Sequence, residues 1–312
     1  MILIKTFKQL NKSSVSEAGG KGASLGEMTN AKIPVPPGFV VLASAFDRFI
    51  KETELDADIE AILKKVNHKD VNSVDKASAE IRDLILRASM PQDLRTDILK
   101  YFKELKSKFV AVRSSATAED SKTASWAGEL ETYLNVTEKD VVKMVKLCWS
   151  SLFTPRAIFY RFEKKLHKKA VSVAVVVQTM VQSEVSGISF TVHPVTKDYN
   201  QMVLEAGFGL GEAIVSGSVT PDTYVVHKDD FSILDINVSE QSMAIYKVGT
   251  KNVHKKLSAK AGGKQKLTGK QIVELAKICK NIEKHYKHPQ DIEWAYFGGK
   301  FYITQSRPIT TL

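Results

Sequence analysis

Apolar residues recur at helical spacing from about Asp56 to Lys106. Leu55, Ile59, Leu63 and Val66 mark one stripe, and Ala77, Ile81 and Leu84 mark another. Pro91 suits the first turn of a further helix carrying Leu94, Ile98 and Phe102. These read as amphipathic core helices with no chemistry of their own. Residues 138–168 repeat the pattern, with Val142, Val145, Leu147 and Trp149 ahead of "FTPRAIFYRF". The period changes at 171, where "VSVAVVVQTMV" is a β-branched run suited to a strand buried on both faces. Further strands are predicted at "GISFTV", "QMVLEAG", "TYVVH" and the hairpin "DIEWAYFGGKFYITQSR", with the helix "TGKQIVELAKICKNIEKHY" before the last. Helices that mostly precede hairpin-joined strands predict an α+β protein rather than an alternating doubly wound sheet. Two lobes are expected, residues 1–170 and 171–312. Residues 1–50 read as compact and loop-rich, around "AGGKGASLGEM" and "IPVPPGFVV".

Polar residues that interrupt this pattern need a reason, because a strand interior favours apolar side chains. In "KFVAVRSSATAED", alternation puts Phe109, Ala111 and Arg113 on one face. The Arg113 guanidinium fits phosphate oxygens in bidentate fashion; a structural arginine would pair with Glu119 or Asp120 instead. Lys21 stands among Gly19, Gly20, Gly22 and Gly26. Glycines let backbone N–H groups approach a phosphate and a lysine supplies a compact charge, although a helix-capping turn has the same composition. The segment is not a P-loop, since Gly22 rather than Ser or Thr follows Lys21. Gly207, Gly209 and Gly211 likewise miss the dinucleotide fingerprint.

The terminal hairpin carries Asp291, Glu293, Gln305 and Arg307 on otherwise apolar strands. Carboxylate and amide oxygens are hard donors suited to magnesium beside phosphates; the alternative is a solvent-facing edge. Register decides between them. A two-residue turn at Gly298-Gly299 pairs Glu293 with Thr304, whereas a three-residue loop that includes Lys300 pairs Glu293 with Gln305 and Asp291 with Arg307. The metal reading therefore asks for the odd-length loop.

Composition narrows the classes. The chain has 312 residues, a net charge of +10 and two cysteines, Cys148 and Cys279, each alone in its segment. That excludes a disulfide framework and a zinc cluster, and suits a reducing cytoplasm. The basic pairs, such as Lys64-Lys65 and Lys255-Lys256, are scattered and rich in lysine, and no aromatic-basic interleaving accompanies them, so no nucleic-acid surface is expected. No stretch is long and apolar enough to span a bilayer, so no membrane partner is expected. His285 and His288 lack a third ligand at metal spacing, and His193 precedes Pro194 in an extended turn.

"GGKGASLGEM", "PVPPGFVV", "VRSSATAED", "WAGELETYLNV", "VQTMVQSEVSGISFTVHP", "GFGLGEAIVSG", "TPDTY" and "DIEWA…YITQSRP" occur in this order along essentially the whole chain. Together they resemble the nucleotide-binding domain of phosphoenolpyruvate synthases, which is shared with pyruvate phosphate dikinases and rifampicin phosphotransferases. The resemblance implies an ATP-grasp-like fold, with ATP held between two α+β lobes. It implies that Lys21 and Arg113 hold ATP phosphates and that Gly128 and Thr132 belong to a lid over them. Gln178, Thr179, Met180 and Val181 would line the adenine pocket, partly through backbone groups. Glu293 and Gln305 would bind Mg2+, with Asp291 in support and Arg307 touching phosphate. In that family a phosphohistidine domain and a pyruvate-binding barrel follow, and neither is in this sequence. The expected activity is therefore that of the ATP half of a phosphotransferase acting on a histidine outside the chain. A rifampicin phosphotransferase or a non-catalytic ATP-binding module is the alternative.

Overall fold

The computed structural model describes residues 1–117, 131–163 and 171–310. Contacts group them into two compact units. The first comprises Met1–Glu27 and Pro37–Met180; the second comprises Met28–Pro36 and the chain from Val181 onward.

In the first unit the order is β1 (Ile4–Thr6), α1 (Val15–Asn30, of which residues 15–27 lie in this unit), β2 (Gly38–Val41), α2 (Ala43–Glu52), α3 (Leu55–Lys64), α4 (Val71–Arg87), α5 (Gln92–Glu104), β3 (Val110–Ala116), β4 (Thr132–Val136), α6 (Val141–Ser150), α7 (Pro155–Glu163) and β5 (Val173–Thr179). Helices α3 to α7 fall where the apolar stripes predict them, whereas α1 and α2 lie in or against the stretch read as loop-rich. The strands form an antiparallel sheet in the order β1-β2-β5-β3-β4. One sheet face is core: Val110, Val112, Val173, Val175 and Val177 pack with Phe46, Phe49, Ile81 and Trp149 of the helices. The valine run of β5 lies inside the sheet with Val173 to Val177 fully buried, as a strand covered on both faces must be. Because β5 pairs with β2 and β3, it belongs to this unit, and the division falls after Met180 rather than at 170.

The N-terminal region departs from the loop-rich expectation. Residues 15–30 are helical with a kink at Gly19, whose φ of 67° and ψ of 173° are non-helical. Glycines lower helix propensity, which hid this helix in the sequence; burial of Ala18, Ala23, Leu25 and Met28 offsets that cost.

In the second unit the order is β6 (Val185–Phe190), β7 (Gln201–Phe208), α8 (Glu212–Val215), β8 (Asp222–His227), β9 (Ile233–Asn237), β10 (Met243–Val248), β11 (Lys251–Lys256), α9 (Ala259–Gly262), α10 (Gly269–Tyr286), β12 (Gln290–Phe297) and β13 (Lys300–Pro308). Six strands form an antiparallel sheet in the order β13-β12-β6-β7-β8-β9, and β10 and β11 form a separate hairpin. Helix α10 begins at a capping box, in which Thr268 and Gln271 bond reciprocally. It buries Ile272, Leu275, Ala276, Cys279 and Ile282. The observed architecture is thus α+β, with β1, β2 and β4 in the first unit and β9, β10 and β11 in this one added to the predicted strands. Strands β9 and β11 are mostly exposed, and β11 is lysine-rich, so alternation in those two is weak.

A buried ion pair ties this unit together. Lys266 Nζ lies 2.8 Å from Asp222, and both side chains are fully buried. Asp222 also accepts hydrogen bonds from the Tyr224 hydroxyl and from the Ser239 and Lys266 backbone N–H groups, and Lys266 Nζ donates to the Ser239 and Gly262 carbonyls. With that many partners the two charges can stay desolvated.

Candidate functional site

Strand β3 delivers Arg113 to the sheet face opposite the core. Its cross-strand partners are Val176 on β5 and Thr132 on β4, while Ala111 pairs with Gln178. Register therefore puts Arg113, Thr132 and Gln178 on one face, as alternation along β3 predicts. Arg113 is 8% exposed and Gln178 only 2%. Gly128, Glu119 and Asp120 lie outside the described residues.

The backbone around Lys21 is held against β3 by Ser115, two residues along the strand from Arg113. The Ser115 hydroxyl donates to the Ala18 carbonyl at 2.9 Å and accepts from the Gly22 N–H at 3.3 Å. At Gly19 a Cβ would meet Ser115 Oγ at 2.2 Å and its carbonyl oxygen at 2.4 Å. A glycine with positive φ is therefore required for this latch to close. It sets the start of the regular helix, with Gly20, Lys21 and Gly22, against the strand that carries Arg113. Lys21 also exerts an electrostatic pull on buried Cys148, whose thiol is pushed up to about 12 mainly by desolvation.

The residues expected around adenine follow Gln178. The Thr179 N–H donates to the Pro37 carbonyl and the Met180 N–H to the Phe109 carbonyl. Those two backbone donors are thus already used, and the division between units falls between Met180 and Val181.

In the second unit the terminal hairpin sets its register by a turn and a bulge together. The turn has two residues: Phe297 pairs with Lys300 around Gly298 and Gly299. Their φ values of 56° and 78° are those of the left-handed turn that suits a two-residue hairpin. That turn alone would set Glu293 against Thr304. A β-bulge intervenes, because the register shifts between Glu293 and Trp294 and Thr304 is the extra residue. Glu293 then pairs with Gln305, and Asp291 with Arg307. The three-residue loop is corrected to a two-residue turn plus a bulge, and the pairing it was invoked to produce is present.

Arg307 holds Asp291 through Nε at 2.8 Å and Nη2 at 2.7 Å. Burial nevertheless raises the Asp291 carboxyl, with Glu293 adding to the rise and Arg307 opposing it. Glu205 was given no task by the sequence, yet it shares this face. Glu293 pairs with Ile188 of β6, and Ile188 pairs with Glu205 of β7. Its carboxyl is raised by desolvation and then by Asp291. Alternation in "QMVLEAG" could have shown Glu205 facing away from Leu204, but not what it faces.

Hard oxygen donors thus sit side by side at Glu293 and Gln305, with Asp291 one step along the strand pair, which fits magnesium chemistry. Among the described residues, no group of three His, Cys, Asp or Glu side chains is arranged to hold a metal unaided. His193 is a turn residue whose Nδ1 accepts from the Val195 and Thr196 N–H groups, and His288 Nδ1 lies 2.9 Å from the Pro289 carbonyl. Among the described residues no helix is long and apolar enough to cross a membrane.

An antiparallel α+β chain with a buried arginine beside a glycine-rich helix start, and a paired carboxylate and amide on a second sheet, belongs to a definable class. The chain is a member of the family described as pyruvate phosphate dikinase, AMP/ATP-binding domain, which it matches over residues 15–312. Its relatives are more particular. It is 48% identical to a probable phosphoenolpyruvate synthase of Methanocaldococcus jannaschii, over 100% of this chain and 27% of that protein. It is 44% identical to a probable phosphoenolpyruvate synthase of Methanothermobacter thermautotrophicus, over 98% of this chain and 46% of that protein. It is 42% identical to the phosphoenolpyruvate synthase of Pyrococcus furiosus, over 99% of this chain and 44% of that protein. The chain spans less than half the length of these curated relatives.

Proposed function

We propose that this chain is an ATP-grasp-like module that binds Mg-ATP and donates a phosphoryl group to a histidine on another domain or chain, as the ATP half of a phosphoenolpyruvate synthase. The complete reaction would convert ATP, pyruvate and water to AMP, phosphoenolpyruvate and phosphate, so that of the two phosphoryl groups leaving ATP one passes through the histidine to pyruvate and the other goes to water. Cross-strand pairing of Glu293 with Gln305 carries the reading: the bulge brings together two hard donors that the turn alone would separate. A cytoplasmic setting agrees with its two buried thiols.

The residues take distinct tasks. Lys21 and Arg113 hold and orient phosphate oxygens, Arg113 in bidentate fashion from a buried position where its charge is poorly screened. Thr132, beside Arg113, contributes a hydroxyl to the phosphate chain, and Gly128 belongs to the same segment of the family motif. Gln178 and the three residues after it line the adenine pocket. With the Thr179 and Met180 N–H groups engaged, base recognition uses carbonyls and the Gln178 side chain. Glu293 and Gln305 would hold magnesium, supported by Asp291, and Arg307 moves from Asp291 to phosphate when nucleotide is present. A cation held there would supply charge neutralisation at the transferring phosphoryl group, and positioning by the residues named is the remainder of the catalysis.

The test is transfer in trans. The chain, ATP radiolabelled in its phosphate chain and a separately produced histidine-bearing domain of a curated relative should give acid-labile label on that domain. Label retained on a histidine of this chain would contradict donation in trans. Tight ATP binding without transfer would leave a non-catalytic binding module.

A further inference from the structure

Behind the Arg113 face, on the helix-packed side of the same sheet, lies a charged cluster that none of the tasks above uses. Arg82 projects from α4, a helix whose sequence shows only an amphipathic stripe. Its Nη2 donates to Glu131 Oε1 at 2.8 Å, across 49 residues of chain. The Tyr133 hydroxyl donates to the other carboxylate oxygen of Glu131. The backbone of Glu131 is held as well: its carbonyl accepts from the Ser114 N–H at 3.1 Å and from Ser114 Oγ at 2.8 Å. Ser114 Oγ lies 3.1 Å from Ser151 Oγ, which donates to the Cys148 carbonyl at 2.7 Å.

Glu131 is thus held at both its backbone and its carboxylate. Arg82 and Glu131 are partly buried, 24% and 29% exposed, so the pair is screened less than a surface bridge. Burial and Glu131 together push the Tyr133 hydroxyl up, so it remains a donor at neutral pH. Packing alone does not call for this. Residues 131 and 133 face the apolar side of the sheet, where Leu or Val would fill the space without desolvating a carboxylate. What the cluster determines is where β4 starts, and Thr132, between the two anchored residues, points to the opposite face beside Arg113.

We infer that Arg82, acting through Glu131 and Tyr133, is a positioning residue for phosphate recognition: it sets the register and depth of Thr132 against Arg113. The inference rests on the reading of Arg113 and Thr132 as phosphate contacts. Arg82 touches no ligand itself. Its loss lets the start of β4 shift and spoils contacts to the phosphate chain while leaving the base and ribose untouched.

Calorimetric titration of the full chain with Mg-ATP and with AMP tests this. Wild-type chain must bind Mg-ATP; if it does not, the functional reading fails and not this inference alone. Given that binding, Arg82→Met should weaken Mg-ATP about tenfold, the scale of a sub-ångström misplacement, with AMP affinity unchanged. Arg82→Lys, which retains one charged donor, should recover part of the loss. Tyr133→Phe removes a single donor and serves if Arg82→Met does not fold; it should show the same selective loss in smaller measure. Variants with a lower melting temperature but unchanged Mg-ATP affinity, or with equal losses for ATP and AMP, would overturn the inference.

Discussion

At Gly19 one missing Cβ decides whether two segments meet. The latch between α1 and β3 closes because the Ser115 hydroxyl fits where any side chain would collide, and because φ there is positive. Gly19→Ala is expected to destabilise the chain by at least about 1–3 kcal/mol, the usual cost of a strained backbone position. Thermal melting should show a clear drop, and Ser115→Ala, which removes the latch hydroxyl but not the space, a smaller one. An unchanged melting temperature in Gly19→Ala would show that the kink is not needed. At this scale much was legible. Arg113 declared itself as a charge ending an apolar strand, and Glu293 and Gln305 as polar interruptions of a hairpin. Arg82 and Glu205 did not, since one sits on an ordinary helix stripe and the other needs the sheet order to acquire its neighbours.

Among elements, spacing along one strand was readable and pairing between strands was not. The helices of residues 55–104 and α10 follow their stripes because amphipathic periodicity survives local exceptions. The terminal hairpin shows the limit. Its pairing depends on the bulge at Thr304, and nothing about a threonine in a β-rich run announces an inserted residue. The same sheet places Glu205 two strands from Glu293, and this has a consequence for stability. The folded state raises the Glu205 carboxyl above its ordinary 4.5, so the fold favours the protonated form. Its contribution is fully present below about pH 4 and is lost as pH rises through the raised value. In magnesium-free buffer, Glu205→Gln should therefore raise the melting temperature at neutral pH, and the difference should vanish towards about pH 4. An equal difference at every pH would mean that the carboxylate is not penalised by burial.

For the whole molecule, each unit carries one buried cysteine, Cys148 in the first and Cys279 in the second. Desolvation pushes both thiols up to about 12, so neither holds appreciable thiolate at neutral pH. The folded chain is expected to react with no thiol reagent, and each cysteine to become reactive only as its own unit unfolds. Mass-resolved labelling across a denaturant series checks this. Rapid labelling of either cysteine in native buffer would place it in an accessible environment that the fold does not provide.

The claim on which the rest depends is that Glu293 and Gln305 bind nucleotide through magnesium, paired by a bulge and not by the turn. Calorimetric titration of the chain with ATP over a magnesium series, in wild type and in Glu293→Gln, tests it most directly. The account predicts one-to-one binding that strengthens as magnesium is added, with Glu293→Gln requiring more magnesium for the same affinity because a charged hard ligand is lost. ATP affinity independent of magnesium, or a magnesium dependence identical in the variant, would contradict it.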